Sequence, residues 1–172
     1  MRKVILYIAM SLDGLIAGPD DDLSFLHAYD GLKLVSSSYD ELMSRIDTIL
    51  LGRKTYDWVT KNMTWPYDGL NTIVFSTLPK SIAYGSMTSS KPKDVVDELR
   101  KQPGKDIWLI GGGNLAQSFL KDGLVDEMII AVIPELIGTG VRLFEGSKSS
   151  WNFVKIQEEN GLILISYERK KD

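Results

Sequence analysis

The run Ile110-Gly111-Gly112-Gly113-Asn114 is the stretch of this chain best suited to chemistry. It stands where an apolar, strand-like run (106–110) gives way to a helix-period run (115–120). Without Cβ atoms, glycines let a bulky charged ligand approach the backbone. The first-turn N–H groups of the following helix then face that ligand, and the helix dipole favours an anion. The chemistry implied is a pyrophosphate cradle; the competing reading is a turn that only packs helix on strand. The run is neither the G-x-G-x-x-G dinucleotide fingerprint nor a G-x-x-x-x-G-K-[ST] loop.

Two other strand ends carry related chemistry. Thr48 to Leu51 leads into Gly52-Arg53-Lys54-Thr55, a glycine turn followed by a guanidinium, an ammonium and a hydroxyl at a helix start. Thr72 to Phe75 leads into the hydroxyls of Ser76-Thr77. The plainer readings are a solvated helix start and turn chemistry before Pro79. In an open α/β sheet, ligands bind beyond the carboxyl ends of the strands. Three such ends in one chain converge on a single ligand with more than one phosphate.

The positioning elements follow from hydrophobic pattern. Val4 to Met10 is continuously apolar, as in a strand buried on both faces. A capping box at Ser38-Tyr39-Asp40-Glu41 predicts a helix from there to about Arg45. Helices are also expected over 54–60 and 94–101, the latter opened by Pro92 and ended by Pro103-Gly104. Further strands are expected over 82–88, 126–133 and 141–144. Asn160-Gly161 between the patterns at 152–157 and 162–168 is a hairpin signal. The predicted fold is a single α/β domain spanning 1–172. It has three αβα layers around a mostly parallel mixed sheet and an antiparallel C-terminal hairpin.

Composition narrows the function classes. An apolar fraction of 44% over 172 residues supports one real core. A net charge of -3 with no basic patch argues against nucleic acid. There is no cysteine and one histidine, His27, so the usual zinc site cannot be built and no disulfide framework exists. His27 reads as a surface residue, and no G-x-S-x-G elbow accompanies it. No apolar run approaches the roughly 20 residues of a membrane span, and no cleavage-site pattern follows the first strand. The chain reads as cytoplasmic, with no membrane partner. The acidic run Asp20-Asp21-Asp22 reads as a solvated loop rather than a metal site.

Taken in order, these motifs resemble the dihydrofolate reductase fold, and more closely the reductase domain of bacterial riboflavin biosynthesis proteins. Ser11-Leu12-Asp13-Gly14-Leu15-Ile16-Ala17 matches the S-L-D-G-x-I-A start of the riboflavin-type group. Leu51 to Tyr56 matches G-R-x-T-[WY], and Ile110 to Gly113 matches I-G-G-G. Ile73 to Thr77, Leu124 to Glu127, and Pro134, Gly138, Gly140, Leu143 and Phe144 match in register. The resemblance implies a reductase that uses NADPH and acts as a homodimer on a small molecule. Arg53, Lys54, Ser76 and Thr77 would hold the 2′-phosphate end. Gly52, Thr55 and Gly111, Gly112, Gly113 and Asn114 would hold the pyrophosphate, and Ala9 and Ile16 would meet the nicotinamide amide through their backbone.

On the substrate side the pattern frays. Folate reductases carry L-P-W with a catalytic carboxylate five residues after the tryptophan. Here Leu23-Ser24-Phe25 is followed, five residues on, by Asp30. A carboxylate beside an apolar pocket is tuned toward acid–base work; next to Gly31 it is equally a turn residue. Asp13 is the other candidate acid, against a turn role in Asp13-Gly14. Trp58 and Trp65 are candidate walls. The arginine that pairs with a folate tail falls at Leu70, and the threonine supporting a pterin falls near Ala131, both against folate itself. The expected activity is hydride transfer from NADPH to a small heterocycle, with the phosphoribosylaminouracil of the riboflavin route as nearest analogy. The deaminase domain often fused to that enzyme is not expected from these residues, which counts against that analogy. The alternatives are a dihydrofolate reductase proper and a nucleotide-binding module without chemistry.

Overall fold

Alternation along the central strands divides the core in two. Val4, Leu6, Leu50, Ile107 and Leu109 point to one face of a sheet, and Ile5, Ile49, Leu51 and Trp108 to the other. The continuous apolar runs are thus strands buried on both sides. The computed structural model describes residues 1–78 and 80–170, and the turn expected at Pro79 lies outside the described residues.

The sheet strands are β1 (Val4–Ser11), β3 (Ile46–Gly52), β4 (Asn71–Phe75), β5 (Ser86–Thr88), β6 (Asp106–Gly111), β7 (Glu127–Ile133), β9 (Trp151–Glu159) and β10 (Leu162–Arg169). Their order is β5-β4-β3-β6-β1-β7-β10-β9. Pairing is parallel from β5 through to β7, and β10 runs antiparallel to both β7 and β9. A separate antiparallel pair joins β2 (Leu15–Ala17) to β8 (Val141–Arg142). Helices α1 (Lys33–Arg45) and α2 (Arg53–Asn62) cover one face; α3 (Pro92–Lys101) and α4 (Gly113–Lys121) cover the other. The three-layer mixed sheet with an antiparallel C-terminal hairpin is as expected. Among the described residues, no helix is long and apolar enough to cross a membrane.

Two local expectations are corrected, and one strand was not foreseen. Helix α1 begins at Lys33, not at the Ser38 capping box. Its first-turn N–H groups at Lys33 and Leu34 donate to the Glu159 carboxylate of β9, at 3.3 and 2.5 Å. A long-range carboxylate therefore replaces the local cap. Ser38 sits mid-helix, within 3.0 Å of the Val35 carbonyl and 2.9 Å of the Tyr7 hydroxyl. The strand expected over 82–88 forms only at 86–88. The preceding backbone is held elsewhere: the N–H groups of Ala83 and Tyr84 donate to the Tyr56 hydroxyl, and Tyr84 stacks on Trp65 at 4.8 Å. Strand β2 carries no signal of its own, because three residues are too few to show a period.

Candidate active site

A cavity of about 790 Å³ opens over the carboxyl ends of β4, β3, β6 and β1. Of the twelve residues expected at the phosphates and the nicotinamide, eleven line it: Ala9, Ile16, Gly52, Arg53, Lys54, Thr55, Ser76, Thr77, Gly112, Gly113 and Asn114. Gly111 lies behind them, buried, at φ 112°, a backbone conformation that side chains oppose, and the Gly111–Gly112 peptide is cis.

The glycines divide their work. A Cβ on Gly113 would sit 2.5 Å from Val141 Cγ1, so packing alone already demands glycine at this cavity-lining position. Gly112 and Gly52 are the N-caps of α4 and α2, and neither helix receives a side-chain capping bond from its N-cap residue. The two helix starts adjoin: a Cβ on Gly112 would lie 3.1 Å from Thr55 Oγ1, and one on Gly52 3.9 Å from the Gly112 nitrogen. Two helix N-termini that open on glycine, each carrying partial positive charge, adjoin on the cavity wall.

The cations serve different walls. Arg53 Nε donates to both oxygens of Asp57 at 2.9 Å, and Nη1 reaches the Lys80 carbonyl at 3.3 Å. Its guanidinium carbon lies 5.9 Å from the Tyr56 ring centroid, and the Asp57 bond raises its pKa further. Lys54 Nζ instead pairs with Asp21 at 2.8 Å, on the segment after β2. Asp21 lines the cavity, so the acidic run is not merely a solvated loop. Ser76 Oγ closes a turn with the Leu78 backbone, and its N–H donates to the Thr88 carbonyl at 2.9 Å. That bond brings Thr88, Ser89 and Ser90 into the same wall. These three hydroxyls escaped the sequence reading, although the rule applied to Ser76-Thr77, hydroxyls at a strand end, fits β5 equally.

The two candidate acids stand apart from the cavity. Asp30 is exposed, just past a 3-10 helix over 24–29, and does not line it. Asp13 does not line it either. Its carboxylate accepts from Ser11 Oγ at 2.6 Å and from the N–H groups of Ile137 and Gly138 at 3.2 and 2.8 Å. The Ser11 hydroxyl, then the Gly138 and Ile137 N–H groups, hold it below the ordinary carboxylate range. That environment favours the ionised carboxylate and makes it a tie between the two loops. His27 is exposed. Trp58 lines the cavity, while Trp65 is buried among Tyr56, Tyr67 and Tyr84. Leu23 and Leu26, unassigned as site residues by sequence, also line the cavity.

A mostly parallel mixed sheet with antiparallel C-terminal strands is the dihydrofolate reductase-like architecture of RibD-type reductase structures. The chain belongs to the RibD C-terminal domain family, whose model matches residues 2–163. It is 36% identical over 147 residues to the uncharacterised Bacillus subtilis protein YwjB, covering 83% of each chain. A Shewanella sp. PV-4 protein, provisionally named for riboflavin biosynthesis, is 31% identical with a TM-score of 0.88, covering 98% of this chain and 99% of that one. The Thermotoga maritima diaminohydroxyphosphoribosylaminopyrimidine deaminase/5-amino-6-(5-phosphoribosylamino)uracil reductase shares the fold at 16% identity and a TM-score of 0.73. It matches 98% of this chain, which spans 57% of that longer protein.

Proposed function

We propose that this protein is an NADPH-dependent reductase of a small heterocyclic substrate. The observation that carries the reading is the meeting of the glycine-led starts of α2 and α4 at Gly112 and Thr55, within one cavity. Free first-turn N–H groups suit a pyrophosphate. Gly52, Thr55 and the segment from Gly111 to Asn114 take that role. Arg53, Ser76 and Thr77, joined by Thr88, Ser89 and Ser90, take the ribose 2′-phosphate, which wants a fixed cation and hydroxyl donors. Lys54 adds charge at the cavity mouth while tied to Asp21. The backbone of Ala9 and Ile16 orients the nicotinamide amide. Bound NADPH supplies the hydride; the chain holds the two rings together and excludes water. The ribosylaminopyrimidine of the riboflavin route is one member of the substrate class.

Isothermal titration with NADPH and NADH tests the coenzyme, and loss of NADPH absorbance across a panel of heterocycles tests turnover. One observation favours a second reading, a nucleotide-binding module without chemistry: neither Asp13 nor Asp30 lines the cavity. That reading expects NADPH binding with no oxidation by any panel member, whereas turnover of dihydrofolate would mark a dihydrofolate reductase proper. We also propose a homodimer, supported by the exposed Phe153, Val154 and Ile156 of the edge strand β9.

A further inference from the structure

Helix α2 begins with two cations. Arg53 and Lys54 are its first residues, and its first turn holds no acid. A helix N-terminus carries partial positive charge, so cations there work against the dipole. The i, i+4 pair of Arg53 with Asp57 also runs in the less favourable direction, with the cation nearer the N-terminus. Helix stability therefore gives no reason for this pair.

The surroundings of Arg53 supply one. Nε donates to both Asp57 oxygens at 2.9 Å. Nη1 faces the Lys80 carbonyl at 3.3 Å and Met87 Sδ at 3.9 Å, and the Tyr56 ring centroid lies 5.9 Å from the guanidinium carbon. Tyr56 in turn accepts the N–H groups of Ala83 and Tyr84, which joins the segment before β5 to α2. Among the described residues no acceptor meets Nη2, so its N–H groups remain for a ligand. Arg53 lines the cavity with Ser76, Thr77 and Thr88; Asp57, Lys80 and Met87 do not line it. The clamp thus grips the guanidinium from behind the cavity wall.

A free arginine loses rotamer freedom when it grips an anion, and fixing it beforehand removes that cost. Against this, the Asp57 carboxylate repels a bound phosphate. Asp57 is 50% exposed, so water and salt screen that repulsion, whereas its bonds to Nε act at contact. Positioning outweighs repulsion.

We propose that Asp57 is a positioning residue: it fixes Arg53 with Nη2 unspent, and so sets the preference for NADPH over NADH without itself touching the coenzyme. This rests on the coenzyme reading, in which Arg53 takes the ribose 2′-phosphate.

The test is calorimetry with NADPH and with NADH on four full-length chains: unmodified, Asp57→Ala, Arg53→Ala and the double variant. It is run in roughly 0.5 M salt, where a Debye length of about 4 Å suppresses the repulsion between Asp57 and a phosphate. Asp57→Ala is expected to weaken NADPH binding about three- to tenfold and to leave NADH unchanged. In the Arg53→Ala background, adding Asp57→Ala should change NADPH affinity no further, because Asp57 acts only through Arg53. A general disturbance of α2 would instead weaken both coenzymes alike. Asp57→Leu gives the same comparison should Asp57→Ala fail to fold. Unchanged or tighter NADPH binding by Asp57→Ala overturns the proposal. So does an equal loss for NADPH and NADH, or the same loss with Arg53 already removed. The two failures separate cleanly. If NADPH does not bind, or if Arg53→Ala leaves its affinity unchanged, the coenzyme assignment falls and this inference with it. If Arg53→Ala weakens NADPH but Asp57→Ala does not, only this inference falls.

Discussion

The carboxylate of Asp13 lies 2.8 Å from the backbone nitrogen of Gly138. With bonds from Ser11 Oγ and the Ile137 N–H, it ties the loop after β1 to the loop after β7. Asp13→Asn weakens this tie and should lower the melting temperature by a few degrees. The folded pKa lies below the ordinary 3.8, so the carboxylate's contribution is fully present at neutral pH. It fades as pH falls below that value and vanishes below the folded one. The gap in melting temperature between the two proteins should therefore close in strong acid. A large loss of turnover with an unchanged melting temperature would instead make Asp13 catalytic.

Gly113 and Val141 make the sharpest steric prediction. Gly113→Ala should destabilise the fold by about 1–3 kcal/mol through overpacking. Removing the clashing Cγ1 with Val141→Ala in the same chain should recover part of that loss. Urea midpoints of the two single variants and the double variant measure the coupling.

Arg53→Ala should weaken NADPH binding by about 10–100-fold while barely changing NADH, because a charge-assisted bond to the 2′-phosphate contributes about 1.5–3 kcal/mol. Equal affinity for NADPH before and after the change would remove Arg53 from the coenzyme site.

At the opposite end of the strands, Arg45 meets the buried Glu127 carboxylate with two bonds, at 2.8 and 2.7 Å. Arg45→Met leaves that carboxylate with only the Lys3 ammonium, 3.8 Å away, and should cost about 1–3 kcal/mol. Coenzyme affinity should not change, since Glu127 starts β7 and the cavity lies past the strand ends. A shift in affinity comparable to the stability loss would contradict that separation.

Phe153 is 61% exposed on the edge strand β9. Phe153→Lys should convert a dimer to monomers in sedimentation, by placing charge on an apolar edge. An unchanged sedimentation coefficient would place the interface elsewhere.

Near-neighbour information was legible in the sequence. The apolar strands, the glycines at 52 and 111–113 and the hydroxyls at 76–77 lie adjacent to the elements they serve, and period and turn chemistry are local physics. The parallel order of the strands turned those separate signals into one cavity wall. What tertiary structure decided was every contact between distant segments. Glu159 moved the start of α1 by capping it from β9. Val141 claimed Gly113, Asp57 claimed Arg53, and Asp21 claimed Lys54. Asp13 and Asp30 were plausible acids as residue types, yet the fold placed both outside the cavity. A side chain's chemistry depends on its partners, and hydrogen bonds and ion pairs that join residues far apart in the chain leave no periodic trace in it.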